Sequence, residues 1–113
     1  NKYEVIDGEY IDGEKTVNEN IADLGAISCI TNLANSKNAT DNELKEMYES
    51  LANMWATIST EEYQKLLLLQ DTHAPSKYRV NATLSSTDTF YEVYNIKKYN
   101  DMYIAENERI HVW

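Results

Sequence analysis

The chain has 113 residues, with 19 acidic against 10 basic side chains and a formal net charge of -9. That length suits one domain with a small core, and the acidic balance argues against nucleic acid or an anionic membrane as a partner. One cysteine, Cys29, excludes an internal disulfide, and the longest aliphatic run, Leu66 to Leu69, is far too short to span a bilayer.

The chain opens Asn1-Lys2-Tyr3-Glu4 with no apolar stretch behind the lysine, so no signal peptide is read there. A first residue other than Met suggests a processed or cut chain. Residues 1–15 hold an echo, Ile6-Asp7-Gly8-Glu9 and Ile11-Asp12-Gly13-Glu14. Asp-Gly pairs favour turns, which predicts a loop or a short irregular hairpin. The ligand spacing of an EF-hand is absent.

Thr16-Val17-Asn18-Glu19 has the form of a capping box, and a helix is predicted from Thr16 to about Asn35. Between Thr16 and Ser36 only Glu19 and Asp23 are charged. Val17, Ile21 and Leu24 share one side of this helix; Glu19, Asp23, Ala26 and Ile30 share another. Apolar residues on both sides predict a buried helix. Asp41 is the expected cap of a second helix reaching about Ile58, with Leu44, Met47, Tyr48, Leu51, Met54, Trp55 and Ile58 as its core stripe. Ser59-Thr60-Glu61-Glu62 caps a third helix, ending near Leu69 or Gln70.

Pro75 forces Ala74 out of the helical region, so Asp71 to Ser76 is predicted as a loop. Tyr78 to Leu84 alternates well enough to read as a short strand. Ser86-Thr87-Asp88 caps a short helix through Tyr94, and Arg109 to Trp113 reads as an extended, aromatic-anchored end. No repeat or low-complexity linker divides the chain, and residues 1–113 are expected to be a single unit.

Two constellations could carry chemistry. Glu19 and Asp23, four apart, stack on one helical face, where burial makes both carboxylates costly unless a cation or strong donors stand near. One reading is a metal site, with one acid as ligand and the other holding a histidine; the other is a solvated helix face. Asp71-Thr72-His73 places a carboxylate and an imidazole on one side of an extended segment. Asp71 could then fix the tautomer of a histidine that donates to an oxyanion. Arg79 could grip a carbonyl or carboxylate. The plainer reading is a helix-capping histidine and a surface ion pair. Cys29 has no acid or base beside it and reads as a packed small hydrophobe. No nucleophile motif or Gly-rich phosphate loop is present.

Glu19-Asn20-Ile21-Ala22-Asp23-x-Gly25 resembles the Glu-Asn-Ile-Ala-Asp signature of the neprilysin and endothelin-converting-enzyme family of zinc metallopeptidases. Asp71-x-His73-x-Pro75-x-x-x-Arg79 resembles its downstream motif. Met102-Tyr103-x-Ala105-Glu106-x-x-Arg109-Ile110-x-Val112-Trp113 resembles the tail of its bacterial members, and Trp55 stands where the family carries a Trp. The likeness runs from Ile11 to Trp113. Asn18 and Ala26 stand where the family usually has Gly, and Ile110 where many animal members have Cys.

The resemblance implies a fold: the mainly α-helical C-terminal part of a thermolysin-like zincin catalytic domain, with short extended segments near its end. It also implies roles. Glu19 would be the third zinc ligand, and Asp23 the carboxylate orienting a ligating histidine. His73 would stabilise the oxyanion, Asp71 would orient His73, and Arg79 would bind the substrate's backbone carbonyl. The other zinc ligands of such peptidases lie on His-Glu-x-x-His, which this sequence lacks: its histidines are His73 and His111, and neither precedes a Glu.

The expectation is therefore the C-terminal portion of a longer zinc endopeptidase or oligopeptidase acting on small peptides. Its partners would be peptide substrates and the upstream part of the same enzyme, with no nucleic acid and no membrane contact. Alone it would neither hydrolyse peptides nor hold zinc tightly. A cytoplasmic place is expected ahead of a cell-surface or secreted one. The alternatives are a non-catalytic acidic helical interaction module and an inactive peptidase homologue.

Overall fold

A computed structural model describes residues 3–112. Trp113, part of the predicted aromatic anchor, lies outside the described residues. The described chain is mainly helical, as expected. A two-strand antiparallel hairpin, β1 (Glu4–Ile6) and β2 (Glu9–Tyr10), precedes five α-helices: α1 (Gly13–Ser36), α2 (Asp41–Trp55), α3 (Glu61–Gln70), α4 (Ser76–Leu84) and α5 (Asp88–Tyr94). The hairpin turns on Asp7 (φ 46°) and Gly8 (φ 82°), both left-handed, as the Asp-Gly pair foretold.

α1 starts three residues before the predicted capping box. Asp12 is the cap, accepting from the backbone of Glu14 and Lys15 at 3.0 and 3.2 Å. A carboxylate beside flexible Gly13 captures the first free N–H groups before Thr16 can. Thr16 is instead buried inside the helix, its hydroxyl donating to the Asp12 carbonyl. The far end closes on Asn38 in the left-handed region, with Ala39 N–H on the Ala34 carbonyl and Asn38 N–H on that of Asn35. α2 is likewise capped one residue earlier than predicted. Thr40, not Asp41, makes a full capping box with Glu43, and the helix stops at Trp55, short of Ile58.

The largest departure is Tyr78 to Leu84, predicted as a strand and found inside α4. Over seven residues the alternation also satisfies a helix: Val80 and Leu84, one turn apart, are both buried. Pro75 then serves as a helix entry, with Tyr78 and Arg79 N–H on its carbonyl.

The core gathers Ile27 from α1, Leu44 and Tyr48 from α2, Val80 and Leu84 from α4, and Phe90, Tyr91 and Val93 from α5. The Tyr48 hydroxyl, deep within it, is satisfied by Thr31 Oγ1 at 3.0 Å. The expected burial of α1 holds on one side only. Leu24 and Ile27 are buried, whereas Val17, Ile21, Ile30 and Leu33 are exposed, as are Met54 and Ile58 of the predicted α2 stripe. Residues after α5 return along it. Tyr91 Oη donates to the Ser85 carbonyl and accepts from Ile104 N–H, each at 2.8 Å, and Arg109 lies over the Tyr91 ring while pairing with Asp88 at 2.7 Å. Among the described residues no helix is long and apolar enough to cross a membrane.

Candidate active site

The site forms where α1 packs on α4. One helical turn brings Glu19 and Asp23 to the α4 side of α1, and each acid meets a different partner. The cation that meets Asp23 is Arg79, 56 positions away. Its Nε and Nη2 donate to the two Asp23 oxygens at 2.6 and 2.7 Å. The fork is bidentate and mostly withdrawn from water, with side chains 15% and 19% exposed. Asp23, and after it the charges of Glu19 and Asp71, hold the Arg79 guanidinium above its ordinary range.

Glu19 meets His73. The imidazole Nε2 lies 3.3 Å from Glu19 Oε2, while Nδ1 lies 2.7 Å from Asp71 Oδ1. The same Asp71 oxygen accepts the His73 backbone N–H at 2.9 Å, closing a tight turn at the end of α3. These bonds, the backbone one first, keep the Asp71 carboxyl below its ordinary value. His73 is thus held with Nδ1 donating to Asp71 and Nε2 turned toward Glu19. The turn is fixed from two sides. Lys15 at the start of α1 donates to the Leu68 carbonyl near the end of α3, where a cation suits the helix dipole. Pro75 starts α4 immediately after the turn.

A cavity of about 460 Å3 opens beside these groups, with Trp55, Gln64, Leu68, Asp71, His73 and Arg79 among its walls. Glu19 and Asp23 are not on its wall; they touch it through His73 and Arg79. All five residues singled out in the sequence therefore belong to one connected cluster. The sequence reading left Trp55 to the core. In the structure the Arg79 guanidinium lies over its ring, 4.0 Å from the centroid. The sequence signals were a large aromatic near the end of the second helix and its place where the resembled family carries a Trp.

Whether the cluster fits a zinc ion is a question of donors. A tetrahedral site takes three or four protein ligands, and among the described residues no group of three or more His, Cys, Asp or Glu converges to hold a metal. Glu19 can supply one carboxylate; the described chain does not supply the rest. Asp23 is engaged by Arg79, and His73 lies on Glu19 and Asp71, so no described histidine stands on Asp23.

A family model described as peptidase family M13 matches residues 1–110. The chain belongs to peptidase family M13. Its relatives include the neutral endopeptidase of Lactococcus lactis subsp. lactis (strain IL1403), 36% identical over 101 residues that cover 89% of this chain and 16% of the relative. The neutral endopeptidase of Lactobacillus helveticus is 32% identical over 103 residues, 91% of this chain and 16% of its own length. Neprilysin-3 of Drosophila melanogaster is 28% identical over 120 residues, covering 96% and 15%. The M13 chain thus spans about one sixth of the length of these relatives. No solved structure matches it. The neprilysin-like resemblance read from the three motifs is borne out.

Proposed function

We propose that this chain is the C-terminal part of a zinc-dependent endopeptidase or oligopeptidase that cleaves small peptides. In that reading it contributes one zinc ligand, Glu19, and the groups that receive the substrate. The observation that carries the proposal is the cluster in which Asp71, His73 and Arg79 line one cavity while Glu19 and Asp23 hold His73 and Arg79 from behind it. The meeting of residues up to sixty positions apart supports an assembled site over a merely solvated helix face. Membership of the M13 family and the names of its relatives agree with a peptidase. Zinc would be shared between Glu19 and donors outside this chain.

The chain's own part in the reaction follows from its geometry. Asp71 holds the Nδ1 edge of His73, so Nε2, 3.3 Å from Glu19 Oε2, is the nitrogen that would meet a substrate. An Nε2–H held there would donate to the oxyanion that develops when a peptide carbonyl becomes tetrahedral. A donor fixed before the reaction needs no reorganisation at the transition state. Arg79, held by Asp23 through two nitrogens, keeps Nη1 for a substrate carbonyl. Asp23 positions Arg79 in this account.

In the full-length enzyme, His73→Ala should lower turnover by about two to three orders of magnitude, the usual cost of losing one oxyanion donor. Turnover unchanged within twofold would contradict the assignment. The coding sequence upstream of Asn1 separates the proposal from its rivals: His-Glu-x-x-His there supports the enzyme, and a start codon at this boundary supports a non-catalytic module.

A further inference from the structure

Arg79 is fixed along one edge by Asp23, through Nε and Nη2 at 2.6 and 2.7 Å. A two-point fork still allows the guanidinium plane to swing about the line joining the two carboxylate oxygens. Its face is closed by Trp55, whose ring centroid lies 4.0 Å from Arg79 Cζ. The two constraints come from different helices: Asp23 from the middle of α1, Trp55 from the last residue of α2. Trp55 is not a deep core residue. It is partly buried at the edge of the core and stands on the same cavity wall as His73 and Arg79. A guanidinium stacks well on an aromatic face because it is planar and weakly hydrated, and the contact strengthens where water is excluded.

We infer that Trp55 is a positioning residue: it sets the plane of the Arg79 guanidinium, so that Nη1 is held ready for the substrate carbonyl. The inference rests on the proposed peptidase reading and deepens it. It assigns to an aromatic side chain a task that Asp23 alone leaves half done. A space-filling role would need only bulk, which leucine supplies; setting the plane needs a flat face, which phenylalanine supplies and leucine does not.

The test is a double-mutant cycle on the full-length enzyme, reading kcat/KM for one peptide substrate. Trp55→Leu should lower kcat/KM about tenfold, the equivalent of about 1.4 kcal/mol, and Trp55→Phe should restore it to within about threefold. Arg79→Lys keeps the charge but loses the planar fork, and is the milder partner variant should Arg79→Gln fail to fold. In that background Trp55→Leu should cost less than about twofold further, because the plane it set is gone. Equal losses from Leu and Phe, or the same loss with and without the Arg79 guanidinium, would overturn the inference and make Trp55 a cavity wall only. If the unsubstituted enzyme cleaves no peptide at all, the proposed function has failed and the inference falls with it.

Discussion

Arg79 and Asp23 show how far single residues could be read before any fold was known. Two acids left in a helix cleared of other charges called for a cation or strong donors if buried, because an unpaired, poorly hydrated carboxylate is costly, and allowed a solvated face if not. Spacing could not say which cation answers, since the pair joins positions 56 apart. The Asp71–His73 contact was legible from its two-residue spacing, although a tight turn and not an extended segment brings the two together. The approach of His73 to Glu19 depends on how α1 and α4 pack and was not. The Asp23 pairing makes a stability prediction for this chain. Arg79→Met should destabilise it by about 2 kcal/mol, chiefly because Asp23 is left without a partner. Adding Asp23→Leu should recover part of that loss. Urea unfolding of the two variants measures this, and simple addition of the two losses would contradict it.

At the scale of elements, local rules located four of the five described helices, misplaced some of their ends, and read α4 as a strand. The Thr-x-x-Glu box at Thr16 was a sound pattern overtaken by a better cap four residues earlier, at Asp12. Tyr78 to Leu84 was ambiguous in kind, because seven residues with Val80 and Leu84 apolar satisfy both periods. Only packing on α1 and α2 decides for the helix. At α2 the box that does form is Thr40 with Glu43, whose Oε2 accepts from Thr40 N–H at 2.8 Å. That backbone bond, with the hydroxyl's, holds Glu43 below its ordinary value of 4.5. A depressed carboxylate stabilises the fold above its unfolded pKa, and the gain is lost as pH falls through the folded value. Glu43→Ala should therefore lower the melting temperature by a few degrees at pH 7, with the gap to the unsubstituted chain closing below about pH 4. A gap that stays constant across this range would show that the charge of Glu43 plays no part in the cap.

The described chain is a small helical body with a well-made core and, in the proposed reading, a site that other parts of the enzyme complete. Its aromatic and aliphatic centre, from Ile27 to Val93, accounts for the helical content read from the sequence. The exposed Val17, Ile21 and Leu33 were not foreseen, because periodicity tells which residues share a face but not whether anything covers it. An uncovered apolar side of α1, next to acids that present a single possible metal donor, suits a segment that completes its site against other parts of a longer enzyme. The central claim is that Glu19 is a zinc ligand in that enzyme. Its most direct test is the zinc content of the purified full-length protein with and without Glu19→Ala, read beside peptide hydrolysis. One zinc per unsubstituted enzyme is expected, with both the metal and the hydrolysis lost in the variant. A variant that keeps its zinc and its full activity would contradict it.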